Sequence, residues 1–111
     1  MTDKLIVLVT CRTAKEAEQI ARAIVAARLA ACGNILQSPV KSVYRWKGKI
    51  ESAKEFLLLI KTSRRRFAQL QVTIKKLHGF EVPEIIALPV AAGSRGYLDW
   101  LSESVALRGK I

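Results

Sequence analysis

Two apolar runs of five residues, 5–9 and 56–60, contain no polar position. Successive side chains of a strand point to opposite faces of the sheet, so a run that is apolar throughout is typical of a strand covered on both sides. We therefore predict that these two strands lie at the centre of a sheet.

A second pattern predicts a helix after the first strand. Thr13 and Glu16 have the spacing of a capping box. The positions that then recur with the helical period are Ala17, Ile20, Ala21, Ile24 and Arg28. We expect this helix to have about 18 residues and to end at Ala31, with Gly33 as its stop signal.

Two further helices are predicted in the second half of the chain. Thr62 or Ser63 is expected to cap the second helix, and Arg64–Arg66 to form its exposed first turn. Ser94 is expected to cap a short third helix. The apolar positions of these helices are Phe67, Leu70, Ile74 and Leu77 in the second and Tyr97, Leu98 and Leu101 in the third.

Alternating positions from residue 40 to residue 46 predict a strand that carries Tyr44 and Trp46 on one face. Lys47 and Gly48 form the turn that follows it, and the next strand begins at Lys49, so the pattern indicates a β-hairpin. Residues 84–90 predict a last strand, in which Pro89 favours an edge position because proline cannot donate a ladder hydrogen bond.

The predicted order is β-α-β-β-α-β followed by a small extra helix. This is the ferredoxin-like α+β pattern, an antiparallel sheet of four strands in the order 4-1-3-2. Its two central strands are the two apolar runs, because the hairpin arm of residues 40–46 counts as strand two. The length of 111 residues predicts one domain, residues 1–111.

Two features predict that the chain associates with copies of itself. Both long helices cover the same face of a ferredoxin-like sheet, so the apolar side chains on the other face need a partner. Residues 49–61 as one strand would span roughly 43 Å, far more than the radius of gyration of about 13 Å of a compact 100-residue domain. The hairpin is therefore expected to overhang its own core and to carry Tyr44 and Trp46 onto a neighbouring subunit.

Composition excludes several classes of protein. Half of the residues are hydrophobic, but no apolar run approaches the about 20 residues that cross a bilayer, so we expect no membrane partner. The N-terminus has no pattern of a secretory signal, which predicts a cytoplasmic location. The two cysteines form no disulfide framework and fit a reducing compartment, although a single bridge between Cys11 and Cys32 is an alternative.

The positive net charge of the chain raises the question of whether it binds nucleic acid. The chain has 19 Lys and Arg against 9 Asp and Glu, a net charge of +10. RNA-binding domains of this topology stack bases on aromatic residues of the central strands, and here those strands offer only Phe56. We therefore expect no specific nucleic-acid partner. Arg64–Arg66 with Lys75 and Lys76 predict a solvated face with weak, salt-dependent affinity for polyanions.

Few residues of the sequence are candidates for metal binding or catalysis. His78 is the only histidine and is followed by Glu81 and Glu84, a set that suits Cu or Zn; the alternative is a histidine that binds the last carbonyls of its helix. Cys11 ends the first strand as a soft metal ligand or as a structural thiol. The motifs of nucleophilic, P-loop and dinucleotide sites are missing, so neither enzymatic activity nor an organic cofactor is expected. The other carboxylates, Glu55 among them, are expected to be solvated or ion-paired.

Five segments together resemble one known family, the CutA divalent-cation tolerance proteins. They are LAACGNI at 29–35, YRWKGKIE at 44–51, IKT at 60–62, EVPEIIA at 81–87 and YLDWL at 97–101. The resemblance implies a cytoplasmic bacterial protein of ferredoxin-like fold, assembled as a homotrimer through interlocking β-hairpins. It also implies tolerance of copper and other divalent metals, with Cu(II) bound by some members.

The same resemblance implies a set of metal ligands. Copper-binding members use a His and a Glu that correspond to His78 and Glu84, and a cysteine of the first strand. Cys11 is displaced by two positions from that cysteine, an even shift that keeps it on the same face of the strand. The family proline and tyrosine after the histidine are here Gly79 and Phe80, and Gly33 replaces a valine at the start of the second strand.

The leading hypothesis is a trimeric metal-response protein whose intersubunit cleft, bordered by His78 and Glu84, accepts Cu(II), another divalent cation or a small effector. Two alternatives belong to other classes. One is a signalling module like the PII proteins, which binds a small anion or a partner protein. The other is a protein that binds polyanions.

Overall fold

The computed structural model describes residues 1–107; residues 108–111, the end of the predicted domain, lie outside the described part. A single 3-10 turn, Arg64–Arg66, precedes the second helix. The strands and helices of the described chain are, in order, β1 (Lys4–Cys11), α1 (Ala14–Ala26), β2 (Cys32–Ile35), β3 (Val40–Trp46), β4 (Lys49–Ser63), α2 (Phe67–Leu77), β5 (Ile85–Pro89) and α3 (Arg95–Ser104).

The sheet is antiparallel and has the strand order β2-β4-β1-β5, with β3 paired to β4 alone. The register of β1 with β4 runs from Lys4 opposite Ser63 to Cys11 opposite Phe56. The prediction that the two apolar runs form the central strands is confirmed, because they lie in β1 and β4. Pro89 ends β5 at the edge of the sheet, as predicted.

One strand was not predicted from the pattern of hydrophobic and polar positions. The place beside β4 in the main sheet belongs to the four residues of β2, whereas the hairpin arm β3 pairs only with the first half of β4. The physical reason is the length of β4, whose 15 residues serve two different partners along the same edge. The predicted second strand is therefore two strands, β2 in the sheet and β3 in the overhanging hairpin.

The end of α1 also differs from the prediction. The helix has 13 residues, and its C-terminal cap is Ala27 rather than Ala31. Arg28 has a φ of 60°, and the N–H groups of Arg28 and Leu29 donate to the carbonyls of Val25 and Ile24. This is a Schellman motif with an arginine where glycine is usual. Because Arg28 turns the chain early, Gly33 is left free to enter β2.

Gly33 lies where α1 approaches the sheet. A Cβ at this position would lie 3.1 Å from the Cβ of Ala21 and 3.3 Å from a Cδ of Leu58. The glycine therefore lets helix and strand pack more closely than a side chain would allow.

The start of α2 was predicted only in part. Ser63 has the extended backbone of an N-cap residue, but its side chain makes no capping hydrogen bond. The Thr62 hydroxyl instead donates to the carbonyl of Leu29 at 2.6 Å. Arg66 is half-buried rather than exposed, because its Nε donates to the carbonyl of Val105 at 3.0 Å.

The two faces of the sheet have different environments. On the side of α1 and α2, the strands contribute fully buried side chains such as Val7, Leu58 and Ile60. The opposite face carries the alternate positions, and on β5 it leaves Ile86 and Leu88 about half exposed, at 51% and 47%. The other apolar members of this open face are Ile6, Leu8, Leu57 and Leu59.

The sheet also separates the two cysteines. Cys11 is paired with Phe56 and points to the side of α1 and α2, while Cys32 points to the opposite face, where it packs against Leu101 of α3. Side chains on opposite faces of a sheet cannot reach each other. Both thiols are accordingly free, which removes the disulfide alternative.

The hairpin extends beyond the body of the molecule, and the chain, hairpin included, measures 50 × 30 × 25 Å. Lys47 and Gly48 both have positive φ, 51° and 81°, the conformation of a two-residue type I′ turn. Val43 and Ile50 near the tip are 67% and 65% exposed. The predicted overhang of the hairpin is confirmed. No helix of residues 1–107 is long and apolar enough to cross a membrane.

Leu58 is expected to be a principal contributor to stability, because it is fully buried between β1 and the helices. Replacing it by alanine (Leu58→Ala) should lower the free energy of unfolding by about 2–5 kcal/mol through lost burial and the cavity left behind. Leu77→Ala, at a position 45% exposed, is the matched control and should change it by less than about 0.5 kcal/mol. Denaturant unfolding at one fixed protein concentration measures both, and equal losses would contradict the assignment of the core.

Candidate functional site

The candidate site lies at the carboxyl end of β1, where three parts of the chain meet. They are the last residues of β1, the first turn of α1, and the segment 78–84 that joins α2 to β5. The capping signal at Thr13 brings the first turn of α1 there, because the Thr13 hydroxyl accepts the N–H of Glu16 at 3.0 Å.

His78 is buried, 9% exposed, with both ring nitrogens hydrogen-bonded. Nδ1 accepts the backbone N–H of Phe80 at 3.0 Å, and Nε2 lies 2.7 Å from the carbonyl oxygen of Thr10. A backbone N–H can only donate, so Nδ1 must carry the lone pair and Nε2 the hydrogen that it donates to Thr10. His78 thus ties segment 78–84 to the end of β1.

Glu16 makes a second connection between the same parts. Its Oε1 accepts the N–H of Arg12 and its Oε2 accepts the N–H of Gly79, each at 2.9 Å. The sequence pattern identified Glu16 only as a capping residue. One signal could have marked Glu16 as part of a site: the capping box of Thr13 and Glu16 directly follows the strand that ends with Cys11.

Cys11 has no exposed surface. Burial raises the pKa of its thiol to about 12, and the negative charges of Glu16 and Glu55 contribute to the same shift. The thiol therefore keeps its proton at neutral pH.

Within the described chain, one group of potential metal ligands converges: Cys11, Glu16 and His78, whose ligand atoms lie within 4.8 Å of one another. Sulfur, oxygen and nitrogen donors together suit Cu or Zn. Of the three ligands implied by the resemblance, two are brought together here. Glu84 is exposed and lies outside this group, on the wall of a cleft.

The three donor types fit a Cu or Zn ion. In this structure, however, the donor atoms of Glu16 and His78 are already engaged in hydrogen bonds, and we call this arrangement the closed state of the site. Both oxygens of Glu16 and both nitrogens of His78 have partners, and Cys11 is protonated. Metal binding would need one ring nitrogen and the thiol to give up their hydrogens or hydrogen bonds.

Gly79 and Phe80, which replace the family proline and tyrosine, have specific contacts. Gly79 supplies the N–H that Glu16 accepts, which proline could not do. A Cβ on Gly79 would overlap the guanidinium of Arg12. That guanidinium lies 5.8 Å from the centroid of the Phe80 ring, within the range of a cation–π contact.

A cleft of about 640 Å³ opens beside this site, between the hairpin and segment 78–84. Glu55 was expected to be a solvated or ion-paired carboxylate; as a residue it is only 7% exposed, and it lies on the wall of the cleft. It lies at the base of the hairpin, where it pairs with Val40, one residue beyond the end of the β1–β4 register. The walls of the cleft include Thr10, Tyr44, Trp46, Glu55, Glu81 and Glu84.

Comparison with known sequences agrees with these observations. The family model described as CutA1 divalent ion tolerance protein matches residues 5–104. The divalent-cation tolerance protein CutA of Thermus thermophilus is 48% identical over 99 residues, which cover 89% of this chain and 95% of that protein. The protein of the same name from Archaeoglobus fulgidus is 39% identical, with the same coverage of both.

Solved structures give the same result. The divalent cation tolerance protein (Cut A1) of Thermus thermophilus matches with a TM-score of 0.90 at 46% identity, covering 93% of this chain and 99% of that chain. CutA1 of a psychrotrophic Shewanella bacterium matches with a TM-score of 0.90 at 34% identity, covering 96% and 98%. The predicted α+β fold with an antiparallel sheet is that of these structures, and the chain belongs to the CutA family of divalent-cation tolerance proteins.

Proposed function

We propose that this chain is a non-enzymatic divalent-cation tolerance protein that binds Cu(II) or another thiophilic divalent cation through Cys11, Glu16 and His78. The observation that carries the proposal is the convergence of these three ligands within 4.8 Å, in a chain whose family is named for tolerance of such ions. Glu16 takes the place in the ligand set that the resemblance gave to Glu84.

The chain's own hydrogen bonds define what binding requires. Cys11 must release its proton, and a nitrogen of His78 must release either the Phe80 N–H or the Thr10 carbonyl. Either change loosens the attachment of segment 78–84 to β1. The proposed site lies beside the cleft, whose wall contains Glu81 and Glu84 of the same segment.

The alternative of a PII-like module for a small anion has less support. The cleft wall contains Glu55, Glu81 and Glu84, and no lysine or arginine of residues 1–107 is part of it. An anion would meet repulsion there. The exposed cations Arg64 and Arg65 lie at the start of α2 instead, in keeping with weak and non-specific contact with polyanions.

We further propose that the functional unit is a homotrimer. Support comes from the open face of the sheet, with Ile86 and Leu88 about half exposed, and from the overhanging hairpin with Val43 and Ile50. Apolar side chains in such numbers are typical of a surface that is buried in an assembly. A neighbouring hairpin and sheet would cover them and enclose the cleft between subunits.

A cytoplasmic location is part of the proposal, supported by the two free thiols, which fit a reducing compartment. Relatives are described differently: the CutA structure from Archaeoglobus fulgidus is that of a periplasmic protein by its description, and the Arabidopsis thaliana protein is described as chloroplastic.

Calorimetric titration with Cu(II) tests the ligand set. His78→Ala and Glu16→Gln are each expected to weaken binding by about tenfold or more, because each removes a donor atom. Glu84→Gln makes the same chemical change on the cleft wall and should alter the affinity by less than about twofold. Glutamine still serves in a capping box, so Glu16→Gln keeps the helix start intact.

Two results would contradict this proposal. Equal, weak Cu(II) binding by the wild type and His78→Ala would remove His78 from the site. A larger loss for Glu84→Gln than for Glu16→Gln would return Glu84 to the ligand set in place of Glu16.

Thiol chemistry tests the closed state of the site. With a pKa of about 12, only about one Cys11 thiol in ten thousand is ionised at pH 8, so alkylation should be very slow. Cys32, which is partly exposed, should react first. Mass spectrometry after iodoacetamide treatment measures both sites, and denatured protein should be labelled at both. Labelling of Cys11 as fast as Cys32 in the folded protein would contradict the closed arrangement.

Light scattering tests the assembly. The wild type should have three times the mass of a 12.3 kDa chain at micromolar concentration. Ile86→Lys places a charge on the open face and should dissociate it, whereas Val72→Lys, at a position 46% exposed on α2, should leave it assembled. A wild-type protein found only as single chains would refute the trimer.

A further inference from the structure

The cleft between the hairpin and segment 78–84 has a charge opposite to that of the whole chain. Three of the nine acidic residues of the protein, Glu55, Glu81 and Glu84, are on its wall. No lysine or arginine of the described residues is there, although the chain has a net charge of +10. A recessed surface of one sign concentrates the field, so this cleft attracts cations and repels anions.

Glu55 is the most buried of the three cleft carboxylates. It is more than nine-tenths buried and borders the cleft. The ion pairs formed within residues 1–107 join Lys4 to Asp3 and Arg22 to Glu18, and Glu55 has neither an ion pair nor a side-chain hydrogen bond there. Within the described residues, the one fully buried polar side-chain atom without a partner is the Ser63 hydroxyl oxygen, so the Glu55 carboxylate still reaches the cleft. A positive hydrogen-bond donor in the cleft would stabilise it.

The three cleft carboxylates do not converge on one point. The group of ligand atoms that does converge in the described chain is Cys11, Glu16 and His78, outside the cleft wall. Separated negative charges in a space of about 640 Å³ match several positive charges held apart on one molecule. This volume is within the range of about 300–1,000 Å³ of small-molecule sites.

Aromatic rings form the remaining part of the wall. Tyr44 and Trp46 alternate on the face of β3 that Glu55 also occupies, because Glu55 is paired with Val40 in the same register. Ring faces attract ammonium groups and pack against methylene groups. The Trp46 ring already has such a contact with the chain itself, since Lys47 Nζ lies 5.8 Å from its centroid.

We propose that this cleft is a binding site for a linear aliphatic di- or polyamine. One primary ammonium group donates hydrogen bonds to Glu55, the methylene chain lies along Tyr44 and Trp46, and a second ammonium group meets Glu81 or Glu84. A primary amine fits better than a quaternary one, because Glu55 needs hydrogen-bond donors. The inference does not rest on the metal site proposed above, because the two share no residue.

Calorimetry with spermidine at about 0.15 M salt tests the proposal, since long-range attraction is screened there. Glu55→Gln keeps the shape of the side chain and should weaken binding by about tenfold or more. Glu18→Gln removes an equal charge from an exposed position of α1 and is the matched control, with an expected change of less than about twofold. Equal affinity of Glu55→Gln and the wild type would overturn the proposal.

Fluorescence gives a second measurement that does not depend on the folding of Glu55→Gln. In Trp100→Phe, Trp46 is the only tryptophan, so a spermidine titration should change its emission. Adding Lys47→Ala removes the competing cation and should tighten binding by about two- to fivefold. An unchanged emission, or binding of citrate as tight as that of spermidine, would overturn the proposal.

The two proposals can fail separately. Glu55→Gln should retain Cu(II) binding, because it removes none of the three proposed metal ligands. Loss of Cu(II) binding by Glu16→Gln with unchanged spermidine binding supports two independent sites, whereas loss of both ligands in the same single variant would overturn their independence.

Discussion

The pairing of β1 with β4 is the constraint on which the rest of the structure depends. β4 has 15 residues, and its register with β1 ends where Cys11 meets Phe56. The first half of β4 therefore has only β3 as a partner and must project as a hairpin. Glu55 is the first residue past this boundary, so the register places its carboxylate at the base of the hairpin, next to the end of β1.

Successive side chains at the end of β1 point to opposite faces of the sheet and so enter two different chemical environments. Cys11 points to the helix side, where Glu16 and His78 complete a closed set of sulfur, oxygen and nitrogen donors. Thr10 points to the open face and borders the carboxylate cleft, while its backbone carbonyl accepts the His78 hydrogen bond. One short stretch of backbone thus borders both sites, with the donor set on the helix side of the sheet and the cleft on the other.

Patterns of neighbouring residues predicted the features that depend on burial of a single strand or on the conformation of a few backbone residues. The all-apolar runs identified the two central strands, because burial on both faces excludes polar positions. The Lys47-Gly48 turn and the edge position of Pro89 follow from backbone conformation alone. The end of α1 was mispredicted, because Arg28 takes a left-handed conformation that residue type does not disclose, and the short β2 was missed because it has too few residues to show a period.

By itself the sequence determined the α+β class, the family and the presence of His78 and Cys11 as candidate ligands, since each follows from residue types at short spacing. The tertiary structure alone decided that Glu16 and not Glu84 meets His78, and that Glu55 is buried at the cleft. These outcomes depend on backbone N–H groups of Arg12, Gly79 and Phe80 and on a long-range strand register. Backbone N–H groups cannot be identified from the sequence, because every residue type except proline has the same backbone donor. A long-range strand register likewise produces no periodic pattern of residue types along the chain.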